Sequence, residues 1–419
     1  MESGTKKKKI DYYTEDLVVN ILARLPLKSI TAFTLVCKEW KSIVESQYLH
    51  ELFMSHHQDS HPSWSLMCRE THKEVIAHYR CDTWGLTQSL GSYISSFLTH
   101  KFGIHKEKVT VEAYTDVGLI LVSLKQTYYV ANPISRQCVE IPPLPRLPRR
   151  ADIFKPSGLA TRIENGVVLG YKVVLMKDTT DTDDISLLIY SSETGLWSFN
   201  TVQSPYLLKR VAWFNPVSLN GNLYWLCYNN YRDHLVVSHN LYATGTESDQ
   251  CRVIEFPHLE NDVYFRRAFT TSQGSLMYMK IINEEKDDGS LGLKLCVWRL
   301  KSGEWEIVSE ISPACIKSGL DYFPLAINPF DANKMYLWSE MHKCLVSTSL
   351  LKGKFRRHKK LEYSSDGRIM SFAGDWSPFE HLFNPCFSRF ALPHWLHRIP
   401  SSPPTDKLRM RIRLRKRAT

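Results

Sequence analysis

Several residues of the chain have side chains that could bind a metal ion, and their spacing decides whether such a site is expected. His56, His57 and His61 are followed by Cys68 and His72. Zinc templates use closely spaced ligand pairs separated by a longer loop, and this spacing matches none of them. Histidines in a polar stretch are usually solvated, so we predict no metal site here.

A group of carboxylates could suggest calcium, because Ca²⁺ prefers oxygen ligands. The group consists of Asp178, Asp181, Asp183 and Asp184. No glycine stands at the sixth position of this loop, and no helix is predicted on either side of it. We therefore predict a hairpin loop between Met176 and Ile185 rather than a calcium site.

Catalytic motifs are missing from the sequence. It contains no GxxxxGK[ST], GxGxxG, HExxH or GxSxG pattern. His394 and His397 are close together, but the surrounding prolines argue against a helix that would present both. We predict no catalytic residue and no cofactor. An enzyme with a pocket in its propeller-like folded domain is a competing hypothesis, but no set of residues supports it.

The net charge of +10 is concentrated at the two ends of the chain. Lys6–Lys9 contribute four positive charges. Seven more lie at Lys407, Arg409, Arg411, Arg413, Arg415, Lys416 and Arg417, which leaves −1 for the body. A body that neutralised phosphates would carry its excess charge on a folded face. Nucleic-acid binding is therefore disfavoured, but a nuclear nucleic-acid-binding or scaffold protein that uses its basic tail is the alternative function.

The basic tail has a period of two, because Leu408, Met410, Ile412 and Leu414 alternate with arginines. A helix would scatter these charges around its surface. Three interpretations stay open. The tail is a nuclear-import or phosphate-binding segment, an added edge strand, or a disordered segment without a function.

Cysteine spacing and the N-terminus indicate an intracellular protein of the nucleus, the cytoplasm or both. The ten cysteines are scattered and no two are closer than 13 positions, so no zinc ribbon or CxxC redox motif is present. This pattern is typical of reduced thiols. The first residues, MESGTKKKKIDYY, lack the apolar stretch of a secretory signal, and no apolar run is long enough to span a membrane.

Two kinds of periodicity divide the chain. Residues 12–55 show helical spacing and predict three helices, the first of which ends at Pro26. Residues 1–11 form a basic tail and 56–63 a polar linker. A segment of about 40 residues is too small to bury its own apolar side chains, so either the following domain or a partner protein must cover some of them.

From residue 64 onward a strand repeat begins. The segments GLILVS, GYKVVL, GNLYWL, GSLMYM and NKMYLW start at residues 118, 170, 221, 274 and 333, with spacings of 52, 51, 53 and 59. A second marker is a tight turn centred on Ser135, Gly195, Gly245, Gly303 and Gly353. Trp197, Trp305 and Phe355 each follow one of these turn glycines by two positions.

A strand-only repeat near 52 residues predicts a β-propeller, in which each repeat is a four-stranded blade. Residues 64–391 accommodate about six blades, and large aromatics would fill the space between them. The fold class is therefore mainly β, with a small N-terminal α segment, and 392–419 would be a Pro-containing segment and tail. An array of β-sandwiches is the alternative.

The helical segment EDLVVNILARLPLKSITAFTLVCKEWKSIV resembles an F-box. The matching elements, in order, are Asp16-Leu17, Ile21-Leu22, Leu25-Pro26, Ile30, Val36-Cys37-Lys38, Trp40 and Ile43.

This resemblance implies docking on a Skp-type adaptor and, through it, on the cullin and RING subunits of a ubiquitin ligase. It implies adaptor contacts at Leu17, Ile21, Leu22, Leu25, Pro26, Leu27, Ile30, Val36, Cys37, Trp40 and Ile43. The family usually has Leu-Pro before its acidic pair, whereas this chain has Tyr13 and Thr14. We therefore expect a weaker adaptor affinity than usual.

The rest of the chain is similar to the F-box-associated, kelch-like propeller modules of land plants, on stretches such as YYVANPISRQCVEIPPLP and VWRLKSGEWEI. The resemblance implies a non-catalytic substrate receptor that holds a protein target near the ligase. The target and its binding residues are unknown. The longer loops, 142–157, 178–185 and 283–290, are candidates for binding it.

Overall fold

The structure is a computed structural model. It describes residues 15–400, apart from 69–73, 104–108, 146–153, 165, 178–181, 209–215, 229–233, 245–249, 258–266, 286–290, 312–321, 340–341, 343, 359–386 and 397.

Four helices precede the first strand, one more than the sequence predicts. The helices of the described residues are α1 Glu15–Leu22, α2 Leu27–Phe33, α3 Lys38–Val44, α4 Gln47–His56 and α5 Leu90–Phe102. The Ser46 hydroxyl caps α4 by accepting a hydrogen bond from the Leu49 amide at 3.2 Å. Leu49 and Phe53 are buried on one side of α4. The expected polar linker is therefore shorter, because α4 extends to His56.

The remainder is almost entirely strand. The described residues form β1 Trp64–Cys68, β2 Glu74–His78, β3 Thr110–Tyr114, β4 Ile120–Leu124, β5 Thr127–Asn132, β6 Gln137–Glu140, β7 Phe154–Glu164, β8 Val167–Lys177, β9 Thr182–Ser191, β10 Leu196–Leu208, β11 Val217–Leu219, β12 Asn222–Tyr228, β13 His234–Asn240, β14 Arg252–Glu255, β15 Arg267–Ser272, β16 Ser275–Glu285, β17 Leu291–Lys301, β18 Glu304–Ile311, β19 Tyr322–Ile327, β20 Lys334–Ser339, β21 Cys344–Ser349, β22 Phe355–His358 and β23 Phe387–Ala391.

These strands form six antiparallel sheets, which we call blades 1 to 6. Blades 1 to 5 are β3–β6, β7–β10, β11–β14, β15–β18 and β19–β22, each with its four strands in sequence order. Blade 6 has three strands, in the order β2-β1-β23. The chain is therefore a six-bladed β-propeller with helices at its N-terminus, and the fold class predicted from the repeat is confirmed.

Strand β23 closes the ring. It pairs with β1 along its whole length, from Trp64 opposite Ala391 to Cys68 opposite Phe387. Blade 6 thus combines the start and the end of the propeller. Separate clusters of buried apolar side chains fill the spaces between successive blades, including the space between blades 5 and 6. The space between blades 6 and 1 holds the cluster that also contains the N-terminal helices.

Each of the five repeated segments found in the sequence falls in the second strand of its blade: β4, β8, β12, β16 and β20. The first-to-second connections of blades 3 and 4 have two consecutive residues with positive φ, at Asn220 and Gly221 and at Gln273 and Gly274. Such turns match the twist of the flanking strands. The tight turns at Ser135, Gly195, Gly303 and Gly353 lie between the third and fourth strands of blades 1, 2, 4 and 5. The remaining turn residue, Gly245, is outside the described residues.

Trp197 and Trp305 occupy equivalent places, as the repeat predicts. Each is the second residue of the fourth strand of its blade. The Trp197 indole N–H donates to the Pro142 carbonyl at 2.9 Å, just after the fourth strand of blade 1. The Trp305 indole N–H donates to the Glu255 carbonyl at 3.0 Å, at the end of the fourth strand of blade 3. Both tryptophans therefore join their blade to the outer edge of the preceding one.

Blade 6 departs from the pattern after β2, where the chain turns toward the N-terminal helices. The Thr83 carbonyl accepts a hydrogen bond from the Leu27 amide at 2.9 Å. A Cβ on Gly85 would lie 2.6 Å from the Pro26 side chain. The Lys28 ammonium on α2 donates to the Tyr93 hydroxyl on α5 at 2.7 Å. The helices are thereby fixed to the propeller by the stretch that follows the third strand of blade 6.

The segment after β23 completes this attachment. The Trp84 indole N–H donates to the Pro393 carbonyl at 2.8 Å. The Trp395 ring lies 5.0 Å from the Phe53 ring of α4, and the Arg398 guanidinium pairs with the Glu45 carboxylate. Residues 392–396 and 398–400, which the sequence assigns to the tail region, therefore pack between the helices and the propeller.

We predict that replacement of Trp197 by Phe lowers the free energy of unfolding by about 1–3 kcal/mol. The change removes the indole donor and leaves the half-buried Pro142 carbonyl without its partner. Urea titration measures the effect. Trp298→Phe is the control, because Trp298 is equally buried and its indole N–H makes no hydrogen bond within the described part of the chain. Equal losses for the two variants would show that the hydrogen bond does not join the blades.

We predict that Gly85→Ala destabilises the protein more than Gly166→Ala does. Both glycines have positive φ, +59° and +75°, so each alanine adds about 1 kcal/mol of backbone strain. Only at Gly85 does the new methyl also collide with Pro26, which adds about 1–3 kcal/mol. The measurement is the free energy of unfolding of the two single variants. An equal loss at both positions would contradict the tight contact between the helices and the propeller.

Candidate functional site: two faces of a six-bladed propeller

The propeller has two faces that differ in their connections. Because the strands of a blade alternate in direction, first-to-second and third-to-fourth connections lie on one face, which we call the turn face. Second-to-third connections and the crossings between blades lie on the other face, which we call the loop face. The candidate site is therefore two separate surfaces.

The N-terminal helices lie on the turn face. A cleft of about 1140 Å³ separates them from the propeller. Lys28, Leu35 and Lys41 line its helical side, and the opposite side includes Ser135 and Leu169, from the third-to-fourth turn of blade 1 and the first-to-second turn of blade 2. The two sides meet at the buried cluster that joins helices, blade 6 and blade 1.

Helix α1 exposes two of the predicted adaptor contacts. Leu17 and Ile21 lie one helical turn apart and are 45% and 49% exposed. Val19 and Leu22 on the same helix are buried against the helical core. The apolar side chains of α1 thus divide into an inward set and an outward pair. An outward apolar pair on a short helix is a surface that a partner can cover.

The connection between α2 and α3 exposes a second apolar patch. Leu35 and Val36 are 87% and 63% exposed. Cys37, also exposed, is the N-cap of α3, and its sulfur accepts a hydrogen bond from the Trp40 amide at 3.5 Å. This cap holds the start of α3 directly behind the two apolar side chains.

The remaining predicted contacts are more enclosed. Leu25, Pro26, Trp40 and Ile43 are half-buried, and the Trp40 ring lies 4.8 Å from the Phe33 ring. Three further residues are fully buried in the cluster between helices and propeller: Leu22, Leu27 and Ile30. In this chain the three pack behind the exposed apolar residues, and their predicted contact with the adaptor stays a prediction.

The sequence analysis did not select Leu35 as an adaptor contact, although it is the most exposed large apolar residue among those described. Tyr48 on α4 is also half exposed and was not selected. The sequence feature that could have identified Leu35 is its position next to Val36, just before the predicted start of α3. Tyr13 and Thr14 lie outside the described residues, as do Lys6–Lys9 and the tail from 401 onward.

The strand ends that flank the three loops proposed for target binding lie on the loop face, opposite the helices. The first crosses from β6 to β7, the second joins β8 to β9, and the third joins β16 to β17. Each is shorter than predicted, because β7 begins at Phe154, β9 begins at Thr182 and β16 extends to Glu285. The extra strand residues are paired within the blades and are therefore not part of the loops.

The histidines and aspartates singled out by their chemistry do not converge. His57 stacks on Phe53 at 4.2 Å, His61 stacks on Phe330 at 5.5 Å, and Cys68 is buried in β1. No group of three or more potential metal ligands occurs among the described residues. His72, His397, Asp178 and Asp181 fall outside them, and Asp183 and Asp184 are on β9.

The shifted pKa values belong to groups that join parts of the fold. Burial raises the pKa of Glu74, whose carboxylate accepts hydrogen bonds from Ser65 and from the Gly91 amide at the start of α5. Burial lowers the pKa of Lys172, whose ammonium donates to the Leu241 carbonyl at 2.6 Å and lies over the Tyr242 ring. Neither group has a second titratable residue placed for proton transfer within the described hydrogen-bond network.

Membrane-spanning helices are not found in the part of the chain that the structure describes. The longest of its helices, α5, has 13 residues.

Comparison with protein families identifies both parts of the chain. A family model of the F-box domain matches residues 14–52. A second model, described as the beta-propeller of proteins like F-box protein At3g26010, matches residues 62–401. The two matches are separated by residues 53–61, which contain the end of α4 and the connection toward β1.

Relatives of nearly the same length carry both parts. The chain is 51% identical to F-box protein At3g28330 of Arabidopsis thaliana over 401 residues, which cover 95% of this chain and 98% of that protein. It is 35% identical to the putative F-box protein At3g23970 of the same plant, over 93% of this chain and 99% of that protein.

Solved structures are much more distant. One chain of the mitotic checkpoint complex covers 58% of this chain and 63% of its own length, with 10% identity and a TM-score of 0.33. That likeness is too weak to support any conclusion. The family models and the full-length relatives carry the assignment: the chain belongs to the F-box proteins whose F-box is followed by a β-propeller of the At3g26010-like type.

Proposed function

We propose that this protein is the substrate-recognition subunit of a Skp–cullin–F-box ubiquitin ligase. The F-box docks on a Skp-type adaptor, which connects it to the cullin and RING subunits. The propeller holds a protein target, and the chain itself performs no chemistry. It raises the local concentration of the target beside the ubiquitin-charged enzyme.

The observation that carries this proposal is the placement of two surfaces on opposite faces. The exposed apolar residues Leu17, Ile21, Leu35 and Val36 are on the F-box, which lies on the turn face. The strand ends that flank the long connections are on the loop face. A receptor must bind adaptor and target at the same time, and opposite faces allow this without steric conflict.

The rigid attachment of the F-box supports the same role. The hydrogen bonds from Leu27 to Thr83 and from Trp84 to Pro393 fix the F-box relative to the blades. A target on the propeller is then held at a set distance and angle from the adaptor. We further propose that the receptor works in the nucleus, the cytoplasm or both, with the basic tail influencing its location.

We predict that replacing both Leu17 and Ile21 by Asp reduces adaptor affinity by at least tenfold. Loss of a central apolar anchor costs about 2 kcal/mol or more at an interface, and the new charges oppose burial. Titration calorimetry with purified adaptor measures the effect. Stability should change little, because both side chains face outward. This pair is a cleaner test than Leu25 and Pro26, since Pro26 also packs against Gly85.

The matched control is Ile307→Asp with Val308→Asp. These residues are 52% and 40% exposed and lie on the outer strand of blade 4, away from the F-box. The control variant should keep full adaptor affinity. Undiminished adaptor binding by the Leu17 and Ile21 variant would refute the proposed adaptor surface.

We predict that glycine-serine replacement of residues 178–181 and 286–290 removes target capture and preserves adaptor binding. Both segments join second to third strands whose adjoining ends are on the loop face, whereas the proposed adaptor surface is on the turn face. The measurement is mass spectrometry of proteins that co-purify with the receptor when ubiquitin transfer is blocked. An unchanged set of captured proteins would place target recognition elsewhere.

A further inference from the structure

The cleft between the F-box and the propeller has exposed apolar side chains on both of its walls. Leu35 lies on the F-box wall and is 87% exposed. Val167 and Leu169 of β8 lie on the propeller wall, and each is 40% exposed. Val168 between them is buried in the cluster between blades 1 and 2, so the exposed pair is on the other side of the strand. Exposed apolar surface of this kind marks an interaction site.

The propeller wall of the cleft is a hairpin that is anchored to its own blade. The start of β8 pairs with the end of β7. The Arg162 guanidinium pairs with the Glu193 carboxylate, in the turn between β9 and β10, at 2.8 Å. A Cβ on Gly170 would lie 2.9 Å from the Glu193 side chain, so the two turns of the blade approach closely. The exposed apolar pair is therefore held in place before any partner binds.

Two tryptophans at the base of the cleft fix its shape. Trp84 and Trp395 line the cleft, and both are nearly buried. The Trp84 indole N–H donates to the Pro393 carbonyl, and the Trp395 ring packs beside the Phe53 ring of α4. The cleft is thus preformed, which lowers the entropic cost of binding a partner.

Positive charge predominates among the described residues that line the cleft. Lys28, Lys41, Arg136 and Arg398 line it, and Glu45 is the one carboxylate among them. The Glu45 carboxylate pairs with Arg398, so these two charges offset each other. The other cations are on both walls, with Lys28 and Lys41 on the helices and Arg136 on blade 1. A partner segment that complements this surface is acidic as well as apolar.

The size of the cleft fits a short stretch of helix. One turn of an α-helix with its side chains occupies about 400–600 Å³. The cleft has a volume of about 1140 Å³ and therefore accommodates about two turns. Two turns place apolar side chains on one face at helical spacing, with carboxylates beside them. An acidic amphipathic helix thus matches the cleft in size, charge and polarity.

Continuity with the F-box surface identifies the protein that supplies this helix. Leu35 belongs to the exposed patch that it forms with Val36, and it also lines the cleft. A protein that covers this patch on the F-box is therefore at the mouth of the cleft. F-box domains bind Skp-type adaptors, so the adaptor is the partner that reaches this position.

We propose that an acidic amphipathic helix of the Skp-type adaptor enters this cleft, so that blade 2 binds the adaptor together with the F-box. The proposal rests on the proposed function and adds to it a contact made by the propeller. Adaptor affinity then depends on Val167 and Leu169, which are outside the F-box. The same contact fixes the propeller relative to the adaptor, so that a bound target keeps a constant orientation.

The first experiment measures the affinity of the full-length protein for purified adaptor by titration calorimetry. Val167→Glu with Leu169→Glu should weaken it at least fivefold, because the new charges repel the acidic helix and oppose burial of the wall. The matched control is Ile163→Glu with Leu196→Glu. These residues are 42% and 37% exposed on the same blade, but neither lines the cleft, so the affinity should stay within about twofold. Equal affinities of the two double variants would overturn the proposal.

The variant with Asp at Leu17 and Ile21 separates this proposal from the proposed function. If it loses the adaptor while the Val167 and Leu169 variant binds normally, the proposed function stands and the cleft contact is wrong. If the unaltered protein does not bind the adaptor, both are wrong.

A charge variant keeps the test available if glutamates in β8 prevent folding. Arg136→Glu removes a cation from the propeller wall and should weaken adaptor binding at least threefold. Its control is Arg357→Glu, at an exposed arginine of blade 5 that does not line the cleft. The control should leave the affinity unchanged, and equal affinities of the two variants would contradict the proposal.

Photo-crosslinking identifies the segment in the cleft. Leu169→benzoylphenylalanine should cross-link to the adaptor, at a helix with Asp or Glu beside apolar residues, and Leu196→benzoylphenylalanine should not. Cross-links from position 169 to 1–14 or 401–419 of the same chain would assign the cleft to this chain's own ends. Cross-links to a second copy would assign it to a dimer. Either result would overturn the proposal, as would an adaptor segment without acidic residues.

Discussion

The pairing of β23 with β1 is the constraint on which the rest of the structure depends. The two strands are separated by most of the chain, yet they lie side by side from Trp64 opposite Ala391 to Cys68 opposite Phe387. This pairing leaves neither end of the blade array open and brings blade 5 against blade 6 over a shared apolar cluster. Without it the inner faces of two blades would be exposed to water, which costs free energy in proportion to their apolar area.

The same closure positions the F-box. Because β1 begins just after α4 and β23 ends just before Leu392, both ends of the propeller emerge beside the helices. The chain then uses 79–89, α5 and 392–400 to pack the helices onto blades 6 and 1, with Trp84 and Trp395 in the shared cluster. A small helical segment that cannot bury its own apolar residues is covered on its inner side in this way. Only its outer apolar residues remain for a partner.

Attachment of the F-box has a structural consequence for blade 6. The stretch after β2 contacts Leu27 and Pro26 instead of returning along β2. Among the described residues the blade has three strands, in the order β2-β1-β23. Within these residues the stretch after β2 holds the F-box and does not extend the blade.

Local pattern was enough to predict the repeated parts of this protein. The spacing near 52 identified the second strands, and the turn glycines placed Trp197 and Trp305 at equivalent positions, because those features repeat within each blade. The helical spacing of Leu17 to Ile43 likewise predicted the N-terminal helices, and the resemblance of this segment to a known family indicated the F-box. What local pattern could not decide is which apolar residues face inward: Leu22, Leu27 and Ile30 are buried while Leu17, Ile21 and Leu35 are exposed. That division depends on Trp84, α5 and Trp395, which are distant in sequence. The helix α5 was likewise decided by tertiary structure, since it covers apolar side chains of blades 6 and 1.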